Sequence, residues 1–323
     1  MAFRLRLAPE HTNIDFFRMQ WLTFGGSMVL SVLAIVAWAV IGLNFGIDFR
    51  GGTTLRTEST QPVNVSLYRE AIDTLGVGEA LITEVFDPTF GPEQNVAMIR
   101  IAAQDGAEAV SPETVAALEA ALQAADPALK IVSVESVGPK VSGELIWAAV
   151  LSMTAATFCI LLYIWLRFEW QYSVGAVVAL VHDVFITIGI FAVFQIKFDL
   201  AIIAALLTIL GYSINDTVVV FDRLRENLMK YKTMPLRDVM NLTVNETLSR
   251  TLMTSVTTLV ALSALFVFGG DVIRGFVLAI MLGIVLGTYS SVFVAKNLVL
   301  LIGLDRSEKK KSGAPEDYAN IDA

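Results

Sequence analysis

Gly211-Tyr212-Ser213-Ile214-Asn215-Asp216-Thr217-Val218-Val219-Val220-Phe221-Asp222-Arg223 closes an apolar run that starts at Leu200. About twenty apolar residues is the length of a membrane-spanning helix. This run carries a tyrosine, a serine, an asparagine and an aspartate within five positions. An ionised carboxylate at the centre of a span costs about 2.5–3.5 kcal/mol even on the lenient insertion scale. Asp216 therefore needs a partner, a polar cavity or an ion path.

The 323 residues are 55% hydrophobic and 17% charged, where soluble domains hold about a quarter charged. Apolar runs cover residues 22–43, 145–166, 172–194, 200–221, 251–268 and 276–295. These predict a polytopic α-helical membrane protein with six transmembrane helices. The first run lacks an A-x-A cleavage site after it and reads as a retained span behind a short N-terminus, residues 1–21. The only cysteine, Cys159, and the only histidines, His11 and His182, exclude a disulfide framework and a Cys/His metal cluster.

Residues 44–144 form one soluble insert between the first two spans. Strand-like stretches at 53–58, 81–86, 96–102 and 129–134 alternate with helical spacing at 65–75 and 112–124. Ser111 is placed as an N-cap and Pro112 at the first helical position. The order βαββαβ predicts a ferredoxin-like α+β domain; a mixed α+β insert of other topology is the alternative. Between Gly46 and Gly143 stand six Lys/Arg and fourteen Asp/Glu, so the formal charge of −8 belongs to this insert. That charge gives no footprint for nucleic acid. The junctions carry Asp48, Gly51 and Gly52 on one side and Gly138 and Pro139 on the other. Paired glycines in a strand-like run suggest a bulge or a close backbone approach.

Fifteen Lys/Arg flank the spans on one side, against Lys197 and Arg274 in the short loops of the other. The positive-inside rule then places both termini in the cytoplasm and the insert outside. It also makes 222–249 a cytoplasmic loop, helical in part along 236–248. The tail, 304–323, is expected to be disordered.

Tyr212 lies one turn from Asp216 on the same face. On the fifth span Arg250, Thr254, Thr257 and Thr258 fall at i, i+4, i+7 and i+8. Asp216 and Arg250 sit at similar depth, able to pair or share a wet cavity; a boundary arginine snorkelling to water is the alternative. His182-Asp183, near the middle of the third span, is the deepest titratable pair. It reads either as a proton relay, histidine being easily tuned across physiological pH, or as a buried bridge between helices. Ala279, Gly283, Gly287 and Ser291 repeat at four-residue intervals, a packing stripe. There is no P-loop, no H-E-x-x-H and no complete G-x-S-x-G. The chain reads as a non-enzyme without a cofactor, driven by an ion gradient or a partner.

Several stretches resemble the SecF family, the smaller subunit of the bacterial SecDF accessory complex. They are Phe45-Gly46-Ile47-Asp48-Phe49-Arg50-Gly51-Gly52-Thr53, Val137-Gly138-Pro139, His182-Asp183-Val184, Gly211 through Asn227, and Thr251-Leu252-Met253-Thr254-Ser255. The resemblance implies a six-span inner-membrane subunit with a periplasmic domain, related in architecture to RND exporters. It implies work beside SecD, with YajC, SecYEG and YidC as partners and the proton-motive force moving a translocating preprotein. It implies proton conduction by Asp216 and Arg250; Asp183 and His182 are added from their depth, with Asn215, Tyr212 and Thr254 as supporting polar groups. An RND-like exporter of small molecules or lipids, and a non-conducting scaffold, are the alternatives.

Overall fold

A computed structural model describes residues 12–77, 80–85, 90–91, 93–101 and 110–304. The expectations for residues 1–11 and for the tail beyond 304 lie outside them. Among the described residues, six helices are long and apolar enough to cross a membrane. They are α1 (Gln20–Ile41), α5 (Pro139–Arg167), α6 (Trp170–Val193), α7 (Leu200–Lys230), α8 (Leu236–Phe268) and the composite α9 (Asp271–Ser290), π turn (Ser291–Ala295) and α10 (Lys296–Ile302). The other elements are β1 (Asn44–Phe45), α2 (Ile47–Arg50), β2 (Gly52–Ser59), α3 (Val65–Asp73), β3 (Ala80–Val85), β4 (Asn95–Ile101), α4 (Pro112–Ala125), β5 (Lys130–Val137) and β6 (Lys197–Phe198). We call the side holding β2–β5 the insert side and the side holding residues 12–19 the terminal side.

The insert has the order β2-α3-β3-β4-α4-β5, and its sheet runs β3-β4-β2-β5 with every pair antiparallel. That is split-βαβ connectivity. Leu55, Ile99 and Ile101 from the sheet meet Tyr68, Ile72, Leu118 and Leu122 from the two helices in one core. Both helix starts are capped as their residues dictate. Asn64 accepts from the Leu67 amide at 3.1 Å, and Ser111 from the Thr114 amide at 3.2 Å. The other face of the sheet overhangs the insert-side ends of α7, α8 and α9. A cleft of about 500 Å³ lies between them, lined among others by Arg56, Arg100, Glu135, Lys197 and Phe276.

The junction is not the continuous strand-like run that its residues suggested. Ile47–Arg50 forms a helical turn between two strands. Gly51, at φ +70°, closes that turn by donating to the Ile47 carbonyl at 2.8 Å, and Gly52, at φ +118°, turns the chain back into β2. Only glycine adopts these conformations cheaply. Asp48 accepts from the Leu200 amide at 3.0 Å, which ties the junction to the start of α7. The Gly46 amide donates to the Phe198 carbonyl at 2.8 Å, and β1 pairs with β6 in parallel. Arg100 reaches down from β4 to the Phe45 carbonyl at 3.1 Å. Burial and then Arg50 lower the Arg100 guanidinium from its ordinary value, while Asp48 and Asp199 oppose them. Gly138 precedes α5, which starts at Pro139 and runs unbroken through the second span.

α6 is the central rod, and α1 packs along it where Gly189 leaves no side chain; a Cβ there would collide with Ala34. The loop expected over 222–249 is almost entirely helical. α7 continues to Lys230 and α8 starts at Leu236, so the connection is 231–235. Polar side chains clasp the two extensions together: Arg223 Nε donates to Glu246 at 2.7 Å, and Asn227 donates to Thr243 at 3.0 Å and to Glu246 at 2.7 Å. A helix can extend beyond its apolar part when its neighbour supplies such partners.

Candidate functional site

The stripe of small residues on α9 brings α7 close. A Cβ on Gly283 would collide with Ile209, and one on Gly287 would stand 2.9 Å from the Ser213 Cβ. That approach builds a polar node where α6, α7 and α9 meet. Asp183 is fully buried. Its Oδ2 accepts from Ser213 Oγ at 2.8 Å and from Ser290 Oγ at 2.7 Å, and its Oδ1 lies 2.9 Å from His182 Nδ1. With two hydroxyls donating to Oδ2, Oδ1 is left for the hydrogen bond with Nδ1, whose donor is set by the histidine tautomer.

His182 is buried too, and its Nε2 has no hydrogen-bond partner among the described residues. The ring stacks on Tyr289 with centroids 6.4 Å apart and planes 20° from parallel. Tyr289 in turn donates to the Thr23 carbonyl and accepts from Ser27 on α1, each at 3.0 Å. Directly after Ser290 the composite helix widens into the π turn. Single π turns inside α-helices gather at functional sites.

Asp216 lies three residues beyond Ser213 on α7, one turn toward the terminal side. It is 4% exposed, and its Oδ2 has no partner among the described residues. The expected partner does not meet it: no ion pair joins Asp216 to Arg250. Arg250 and Thr254 are exposed on the outer face of α8, and Thr254 Oγ1 bonds only to carbonyls of its own helix. The face of α8 turned inward is one residue round, through Thr243, Thr247, Thr251 and Ser255 at four-residue steps. Ser255 Oγ lies 2.7 Å from Thr288 Oγ1 of α9. Tyr212 does reach α8, through its hydroxyl to Thr258 Oγ1 at 3.4 Å. Asn215 faces outward and is exposed.

The sequence reading had His182, Asp183 and Asp216 but not the serines that hold Asp183. Ser213 was in view only as part of a motif, Ser291 only as the end of a packing stripe, and Ser290 not at all. A hydroxyl pair deep in an apolar run was the available signal. Lys296 was also missed. It is 1% exposed, its Nζ has no hydrogen-bond partner among the described residues, and the rings of Phe16, Phe17 and Phe293 surround it.

The protein translocase subunit SecF of Cereibacter sphaeroides is 64% identical over 324 residues, covering the whole of both chains. Residues 117–305 match the family described as protein export membrane protein SecD/SecF, C-terminal. This chain belongs to the SecF family. Residues 36–63, which include Gly51 and Gly52, match the SecD/SecF GG motif. The SecF of Vibrio alginolyticus is 40% identical over 98% of each chain. Among solved structures, SecDF of Thermus thermophilus, described as a translocon-associated membrane protein, superposes with a TM-score of 0.81 at 35% identity. The match covers 92% of this chain and 39% of that one, so this SecF-family chain spans about two fifths of the solved SecDF chain.

Proposed function

We propose that this chain is an accessory subunit of the Sec preprotein translocase, and that with SecD it uses the proton-motive force to promote export across the inner membrane. In this reading both termini are cytoplasmic, and the split-βαβ insert is a ferredoxin-like domain in the periplasm. The carrying observation is an aspartate in the membrane, Asp216, with a buried, unpartnered oxygen one turn from a serine that donates to a second buried aspartate, Asp183. Ser213 both donates and accepts hydrogen bonds, so a proton on Asp216 has a hydroxyl route toward the Asp183–His182 pair.

Arg250 and Asn215 stand on the outer surface of α8 and α7, where lipid would receive them poorly. SecD is the partner this reading places against that face, since the similar SecDF chain is more than twice as long as this one. YajC, SecYEG and YidC belong to the same proposal as further partners. Asp216 then exchanges its proton in one arrangement and approaches Arg250 in another, after α8 turns by about one residue, roughly 100°. The Asp48–Leu200 and Arg100–Phe45 bonds connect movement of α7 to the periplasmic domain. One charge crossing 100 mV yields about 2.3 kcal/mol, and swinging a two-state element from 1:99 to 99:1 takes about 5.5 kcal/mol. One proton biases the cycle; two or three drive it.

Asp216→Asn and Arg250→Met, assayed for proton-gradient-dependent export in vesicles, test the reading. Both variants are expected to assemble with SecD and to lose the dependence on the gradient. Wild-type export by both at normal levels would overturn the proton role and leave a scaffold.

A further inference from the structure

Residues 12–17 lie across the terminal-side ends of the helices and are fastened there by side chains. The Ile14 amide donates to Asn245 Oδ1 at 2.9 Å and the Phe16 amide to Asn241 Oδ1 at 2.9 Å. Both asparagines donate back to the Ile14 carbonyl, at 3.0 Å from Asn241 and 2.9 Å from Asn245. Asn13, Ile14 and Asp15 are exposed residues, while Phe16 and Phe17 turn inward.

Phe16 packs with Phe293 on a layer of three valines, Val220 of α7, Val244 of α8 and Val292 of the π turn. Each valine is on the face that carries the polar groups deeper in the membrane. Val220 is one turn from Asp216, Val244 two turns from Thr251, and Val292 one turn from Thr288. The Asp216 Oδ2 and Thr251 Oγ1 atoms beyond this layer are buried and unpartnered among the described residues. The valines and Phe16 thus stand between these atoms and the terminal side.

We propose that residues 12–17 are a hinged lid that governs aqueous access from the terminal side to Asp216. The proposal rests on Asp216 being the proton carrier. Phe17 is anchored in the hydrophobic core of the bundle, and two features leave the segment before it able to open and close. The lid is held by four bonds to two amide side chains, one from Thr12 Oγ1 to the Asn245 carbonyl at 3.3 Å and an exposed Asp15–Arg237 ion pair at 3.9 Å, not by pairing within a sheet or helix. Its inner surface also holds the Lys296 ammonium over Phe17 at 4.2 Å, Phe16 at 4.9 Å and Phe293 at 5.7 Å, with no hydrogen-bond acceptor among the described residues. Cation–π attraction offsets part of the cost of that burial, but an ammonium without acceptors favours any arrangement that returns it to water. Closed and open forms are brought closer in energy than an all-apolar plug would allow.

The test is the reactivity of a thiol at Val220, in the full chain with its partner present. The background is Cys159→Ser/Val220→Cys, since the native cysteine is exposed. A membrane-impermeant maleimide is supplied from the side of the termini. Labelling is expected to be slow with the lid intact. It should accelerate by about tenfold in Phe16→Ala and in Asn245→Ala, the effect of losing one or two modest contacts. Phe16→Trp should keep it slow. Lys296→Met, which removes the unsatisfied ammonium and keeps the length, should slow it further. Unchanged rates in both alanine variants, or faster labelling in Lys296→Met, would overturn the lid. Labelling does not depend on export, so loss of the proton reading through Asp216→Asn would leave these rates as they are and be recognised separately.

Discussion

Replacing Asp183 by alanine and by asparagine should separate what the carboxylate holds from what it carries. In the alanine variant Ser213 Oγ and His182 Nδ1 lose their partner outright, while Ser290 Oγ keeps a weaker bond to the Gly287 carbonyl at 3.3 Å. Each buried polar group left unsatisfied costs about 1–3 kcal/mol. With the cavity added, a loss of about 3–5 kcal/mol is expected. Asparagine keeps an oxygen for both serines, and its amide can donate to Nδ1 if the histidine carries its proton on Nε2. Its cost should stay within about 1 kcal/mol. Denaturant unfolding of the purified protein in micelles measures the difference, and gradient-dependent export measures function. The proton-relay reading predicts near-normal stability and lost export for Asp183→Asn. If asparagine destabilises as much as alanine, the node needs the charge for its own cohesion. If asparagine exports normally, Asp183 is a bridge between helices and carries no proton.

Gly287→Leu forces a side chain against Ser213, 2.9 Å from its Cβ; overpacking of this kind costs about 1–3 kcal/mol, and unfolding in micelles should register it. Tyr68 is buried and donates to Asp126 Oδ2 at 2.9 Å, so Tyr68→Phe should cost about 1–2 kcal/mol at neutral pH. Burial, then the bond to Asp126, raise the Tyr68 phenol above its ordinary value near 10. The stability it contributes is therefore complete below pH 10 and lost as pH rises beyond, and base titration of unfolding should fall more steeply for the wild type than for Tyr68→Phe. Arg223→Gln loosens the clasp to Glu246; as a partly exposed pair it should cost no more than about 1 kcal/mol, read as faster proteolysis at 231–235.

The spans and the insert were legible because their signals are local. An apolar run of twenty residues has few other uses, and β2, β3, β4 and β5 each stand as a short strand-like stretch between turn residues and helical spacing. The junction was not legible in the same way. Asn44–Phe45 is too short to read as a strand, and it forms only because Lys197–Phe198 arrives beside it from about 150 residues away. The continuation of α7 to Lys230 escaped for a related reason. Charged residues after Phe221 look like the end of a span, yet Arg223 and Asn227 are polar because α8 answers them.

The site shows the same division more sharply. Depth in a span is a property of sequence, so His182, Asp183 and Asp216 could be named from it. The azimuth of one helix against its neighbour is not. Arg250 and Thr251 differ by one position, or about 100° of rotation, and that step decides which of them faces α7. A polar stripe at 250, 254 and 257–258 and another at 247, 251 and 255 are equally good helical patterns. The choice between them is made by what packs on α8, namely Thr288 on α9 and the lid on Asn241 and Asn245. Both stripes are polar, and a helix with two such faces is what the proposed proton-driven switch beside Asp216 would require.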